Sequence, residues 1–265
     1  EEIDARVGWM VKDRIHAAKT PTLFLTEPGQ EDEAGRLNNR SYIAFVPRLP
    51  EFITMQPGGK MPRDEGLNAP GGPLELEALI QRDTAKLFGL AVGDRMSAVP
   101  YWLDLTPYVS LVVSGIFDKN DFDDNMWYLE ERVLNASTGK SFRTAAFFVS
   151  ETAYLDVLGP AFRKLNTTYA WLLDVDLGRL EARNADAALA GMESMNSTLS
   201  FSLSLYQQET ALKAALKEYD RKLFFSKLPM FVVLILIAFV VLYYVVTLSS
   251  LAVEERRAEV ALLRS

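Results

Sequence analysis

A charge-free run at 228–253 (LPMFVVLILIAFVVLYYVVTLSSLAV) constrains this chain more than any other feature. Only Thr247, Ser249 and Ser250 interrupt it with small polar groups. A helix rises 1.5 Å per residue, so 228–251 spans about 36 Å. That crosses a hydrocarbon core of about 30 Å with some tilt. A core helix of a soluble protein at this length would carry a polar face, and this run has none. Residues 1–225 therefore read as a polar domain tied to a membrane by the helix that follows.

Charge returns abruptly after the run, in 254–265 (EERRAEVALLRS), while Val260, Leu262 and Leu263 still supply apolar positions. The chain opens on Glu1, without Met or a signal peptide. Both ends read as cut from a longer protein.

Composition narrows the function classes. The chain has 265 residues, 49% hydrophobic and 24% charged, as expected of a globular part plus one span. A net charge of -7 argues against a nucleic-acid surface, which needs a basic stripe. Cysteine is absent, so there is no disulfide frame, thiolate metal site or cysteine nucleophile. The one histidine, His16, precludes a His-rich zinc site and reads as a partly exposed helix residue.

Orientation does not follow from charge. Lys213, Lys217, Arg221, Lys222 and Lys227 precede the span, and Arg256, Arg257 and Arg264 follow it. Sequons at Asn39, Asn135, Asn166 and Asn196 suit an exported domain.

Periodicity predicts a helix over 1–19, with Ile3, Val7, Met10, Val11 and Ile15 on one face. TLFLTEPG predicts a strand and turn, and 42–59 a strand, a Pro-broken turn and a strand. Residues 57–73 are rich in Gly and Pro and suit a long loop between subdomains. Next, LEALIQRDTAKLFGL reads as a strand end running into a helix that stops at Gly89. Val92-Gly93-Asp94-Arg95 reads as a turn between strands at 96–102 and 109–117. Further on, strands at 144–149, 169–175 and 199–205 alternate with helices at 151–158 and 180–195, giving an α+β layer. A last helix begins near Gln207. Leu212, Leu216, Tyr219 and Leu223 line one face of it, and only Pro229 separates it from the span.

Three segments together resemble a known family. ERRAEVALLRS at 255–265 resembles the cytoplasmic signature after the second membrane helix of FtsX/MacB-type ABC transporter permeases, written ERR-x-E-[IV]-A-[LM]-L-[KR]-[AS]. EALIQRDTAKLFGLAVGD at 77–94 resembles the extracytoplasmic strand and helix leading to a "glGL-x-VGD" turn in that family. SLVVSGIF at 110–117 resembles the "f-x-VvGI" strand after it. Gln81-Arg82-Asp83 departs from the family's small polar run, and 1–74 and 118–143 match nothing in it.

The resemblance implies a porter-like α+β extracytoplasmic domain, 1–56 with 144–206, carrying an inserted small β-rich subdomain at 57–143. It further implies a stalk helix at 207–227, the transmembrane helix at 228–253, and the start of a cytoplasmic coupling helix at 254–265. Glu255, Arg256, Val260, Leu262 and Leu263 would then contact a cytoplasmic ABC ATPase subunit, with Pro229 a tolerated kink or a hinge. The expected partners are that ATPase, further membrane helices of the permease, a second permease copy and membrane lipid. The alternative is a single-pass sensor or binding protein with an acidic ligand-binding ectodomain.

Catalytic chemistry finds little support. The acidic loop at 118–124 offers Asp118, Asn120, Asp121, Asp123 and Asp124 as oxygen ligands. It lacks the Gly and distant Glu of a calcium loop, and reads as a solvated turn. No G-x-S-x-G or H-E-x-x-H occurs, and neither Gly pair, 58–59 or 71–72, leads into Lys-Ser/Thr and a helix. The chain is expected to be no enzyme and to need no cofactor or metal. Trp102, Trp127, Tyr101, Tyr108 and Tyr128 read mainly as packing residues, and Tyr243 and Tyr244 as helix–helix contacts within the span.

Overall fold

The structure, a computed structural model, describes residues 2–68, 72–101, 108–121, 124–132, 134, 142–162 and 165–262. Helix α1 (Glu2–Val7) and a 3-10 turn, Gly8–Met10, open it. Strands β1 (Val11–Lys19), β2 (Leu23–Thr26), β3 (Asn39–Phe45), β4 (Ile53–Met55) and β5 (Leu67–Asn68) follow. β6 (Leu74–Gln81) runs straight into α2 (Arg82–Phe88). Next come β7 (Arg95–Val99), β8 (Val109–Lys119), α3 (Met126–Arg132) and β9 (Arg143–Phe148). A wide π turn, Ala153–Leu158, passes into the short α4 (Gly159–Ala161). β10 (Thr168–Val175), α5 (Ala185–Ser202) and α6 (Leu212–Leu262) complete the described chain. The class is α+β, as the sequence predicts. Two compact units divide it: a sheet unit, 12–175, and a helical unit, 2–11 with 176–262.

Strict alternation builds the sheet unit. Side chains one apart on a strand point to opposite faces. Ile43 and Phe45 belong to one buried cluster, and Tyr42 and Ala44 to another. Phe147 and Phe148 divide in the same way. β3 lies between β9, parallel to it from Asn39↔Arg143 to Ala44↔Phe148, and the antiparallel β1 and β2. β2 pairs with β7, β7 with β8, and β8 with the parallel β6. β6 then meets β9 at Leu79↔Phe148. The pairings thus close into a ring, β3–β2–β7–β8–β6–β9, with β10, β1, β4 and β5 attached. The first cluster holds Leu25, Ile43, Phe45, Leu76, Leu111 and Phe147; the second holds Phe117, Phe148 and, from α3, Met126, Trp127 and Leu129. Burying each such side chain contributes roughly 1.5–3 kcal/mol.

The ring takes β2, β3 and β9 from the parts expected at 1–56 and 144–206, and β6 to β8 from the expected insertion at 57–143. Those boundaries therefore fall inside one sheet. The predicted strand, helix and turn at 77–94 are present. Gly89 ends α2 in the left-handed region, φ 69°, which glycine adopts without steric cost. Gly93 and Asp94 form the turn, with Gly93 N–H donating to Val113 O and Val113 N–H to Asp94 O.

Two expectations are corrected. Only Glu2–Val7 of the predicted first helix is α-helical. From Val11 the chain is β1, paired through Ala18↔Phe45 and Lys19↔Ala44. Apolar residues at helical spacing lost to pairing with β3, because burial beside a strand outweighs local propensity. His16 is accordingly a strand residue, its Nε2 3.0 Å from Glu151 Oε1. At the other end, 199–205 is no strand. α5 continues to Ser202 and irregular chain follows, leaving Phe201 and Leu205 exposed.

Candidate functional site

The helical unit holds the start of the long apolar helix α6. α5 buries Ala185, Ala188, Met192 and Met195, which are spaced three and four apart and share a face. Gly191 lies among them. A Cβ there would stand 2.6 Å from the carbonyl O of Arg6, so the backbones of α1 and α5 touch. Arg6 strengthens the contact: its Nη1 donates to Ser194 Oγ, and its Nε lies 3.1 Å from Glu2 Oε2.

α5 also holds the start of α6. Glu193 Oε1 lies 3.1 Å from Lys217 Nζ and 3.6 Å from Lys213 Nζ, with Leu216 buried between them on the same face of α6. Thr210 Oγ1 accepts from Leu212 N–H at 3.1 Å and caps the helix. The hydrogen bond from Lys217, then its charge and that of Lys213, hold the Glu193 carboxyl below its usual range. A depressed carboxyl pKa contributes attachment above the unfolded value and loses it as pH falls through the folded one. Glu193→Gln should therefore speed amide exchange over 212–217 modestly at neutral pH. At a pH low enough to protonate the carboxyl, variant and wild type should exchange alike. Equal rates at neutral pH would remove this bridge as an attachment.

The chain leaves the helical unit after residue 11 and returns at 176, and the two ends are tied together. Asp176 N–H donates to Met10 O at 2.9 Å, and Arg179 Nη1 donates to Trp9 O at 3.1 Å. Arg179 Nε also pairs with Asp176 at 3.1 Å.

From this hub α6 runs 51 residues, Leu212–Leu262, without a break. None of its apolar section is buried. The helix is long and apolar enough to cross a membrane, as the sequence predicts. Thr247 Oγ1 donates to Tyr243 O at 2.8 Å, which satisfies that hydroxyl inside the apolar section. Tyr243 and Tyr244 are exposed, as a lipid- or helix-facing pair would be. Pro229 sits within the helix and the helix continues through it. Glu255, Arg256, Val260 and Leu262 lie on the last turns of the same helix; Leu263 falls outside the described residues. The segments expected as stalk, span and start of a coupling helix, as far as residue 262, thus lie on one helix.

The other candidate residues do not converge on a site. Asp118 pairs with Arg82, and Asp124 Oδ1 accepts from Met126 N–H at 2.8 Å at the start of α3. Asp123 lies outside the described residues, and among those described no cluster is placed to hold a metal ion. Trp127 is buried, Tyr101 and Tyr128 are exposed, Tyr108 is half-buried, and Trp102 is outside the described residues. Arg6, Gly191 and Glu193 are absent from the sequence-predicted site residues. The available signal was a glycine within an otherwise regular helical pattern, which marks a close approach.

No protein-family model matches the chain, and no curated protein matches it. Among solved structures it is similar to a domain of a protein described as a permease from Porphyromonas gingivalis. The likeness covers 78% of this chain and 82% of the other, at 14% sequence identity and a TM-score of 0.32. A likeness of that degree says nothing of activity.

Proposed function

We propose that this chain is the extracytoplasmic domain, second membrane helix and first coupling residues of an FtsX/MacB-type ABC transporter permease. Its work is mechanical. A separate cytoplasmic ATPase subunit hydrolyses ATP and displaces 254–265, and α6 carries the displacement across the bilayer to α5 and α1. The observation that carries this reading is the continuity of α6 from Leu212 to Leu262. By the rise per residue it is a rod about 76 Å long. Every turn is closed by backbone hydrogen bonds except at Pro229, which forfeits one and marks where the rod would bend if it bends. The hub contacts of α5 with α1 and α6 give the rod something to move. The exposed apolar face of 228–251 leaves room for lipid, for further helices of the permease and for a second permease copy.

The reading places 1–225 outside the cytoplasm. A reporter enzyme active only in the cytoplasm, fused at residue 140, should be silent, while one active only outside should work. Cytoplasmic activity at that position would overturn the orientation and the function with it.

A further inference from the structure

Three apolar stripes of the sheet unit turn polar at one place. Side chains two apart share a face. On β1, Ala17 is followed by Lys19; on β3, Ala44 and Tyr42 are preceded by Arg40; on β9, Ala146 is preceded by Thr144, and Phe142 stands just before the strand. The register sets Lys19 beside Ala44 and Arg40 beside Thr144. The face that buries Ala17, Tyr42, Ala44 and Ala146 in the second core cluster therefore ends in two cations, a hydroxyl and a ring. With Thr20 and Thr22 these residues line a cavity of about 240 Å³.

We propose that this cavity binds a small organic anion, a carboxylate or phosphate monoester carried on a flat apolar group. The two cations come together in a chain of net charge -7, so they are no sample of a generally basic surface. Lys19 is half-buried, with its Nζ 5.3 Å from the centroid of the Tyr42 ring. Burial pushes its pKa down, and an anion in the cavity would offset that cost. The Arg40 guanidinium is fixed 4.4 Å above the Phe24 ring. Its Nη1 donates to Leu37 O at 2.6 Å and Asn39 O at 2.9 Å, which leaves Nε and Nη2 as donors for an oxyanion. Thr20 Oγ1 is held by donating to Pro21 O and accepting from Ile43 N–H. Tyr42 gives its hydroxyl to Leu134 O and keeps its ring for packing, and Phe142 offers a second, partly exposed ring. The volume is below that of a drug-sized site, so the ligand is small.

The test is calorimetric titration of the full chain in lipid nanodiscs with benzoate, phenyl phosphate and benzyl alcohol. One of the two anions should bind saturably, and the tighter one names the headgroup. Benzyl alcohol, which keeps the ring without the charge, should not bind. Lys19→Met and Arg40→Gln should each weaken the anion at least about tenfold with the thermal midpoint retained. Lys19→Arg, which keeps the charge, should hold binding and decides the matter if Lys19→Met does not fold. No saturable binding of either anion, or unchanged affinity in both charge-removing variants, would overturn the proposal.

Discussion

Gly191→Ala is expected to force α1 away from α5 and destabilise the helical unit by about 1–3 kcal/mol, the usual cost of overpacking a tight contact. The new Cβ would meet the Arg6 carbonyl O at 2.6 Å, a backbone atom that cannot rotate away. Displacing it also disturbs the bond from Arg6 to Ser194. The sign of the effect is diagnostic. In a helix interior, Gly→Ala alone stabilises by about 0.8–1.0 kcal/mol. Denaturant unfolding of the full chain in detergent, with hydrogen exchange over 2–11, distinguishes the outcomes. A more stable variant with α1 protected as before would mean the two helices do not depend on this contact.

At the other end of α6, Leu262→Asp or Leu263→Asp should uncouple ATP hydrolysis from the permease more severely than Arg256→Ala. The sequence spacing would put Arg256, Val260 and Leu263 on one side of a helix and Glu255, Glu259 and Leu262 near another. If the segment docks in a cleft of the ATPase, the apolar residues insert and Glu255 and Arg256 contact its rim. Burying a leucine is worth roughly 1.5–3 kcal/mol, against about 0–1 for an exposed ion pair. Membrane insertion and folding of the sheet unit should survive all three changes. Co-purification of the ATPase and its stimulated activity are the readouts. Wild-type levels of both in the two Asp variants would remove 254–265 as the coupling surface and favour the single-pass sensor.

The sequence made local order plain wherever one physical cause dominated. The run at 228–253 reads as a helix apolar all round, which only a membrane or a large core accepts. Gly89 and Gly93 fixed the ends of α2 and the next turn by backbone conformation alone. Legibility failed where partners far along the chain decided. Val11–Lys19 carries apolar residues at helical and at alternating positions, and only pairing with β3 chose between them. At 199–205, Leu199, Phe201, Leu203 and Leu205 alternate as a strand would. No described strand pairs there, and the helix runs on to Ser202. The hub was hidden for the same reason: Arg6 and Ser194 are far apart in sequence, and the glycine that admits α1 has no side chain to mark its role.

Mechanical transmission by this chain requires α6 to behave as one rod from the hub to residues 254–262. Spin labels at Lys217 and Val253, in nanodiscs with and without an ATPase partner and ATP, test it by pulsed electron resonance. A continuous helix predicts a single narrow distance of about 54 Å between the two backbones, the same in every nucleotide state. A broad distribution, or a distance that shortens when ATP is added, would mean the helix bends at Pro229 and does not transmit the displacement as a rod.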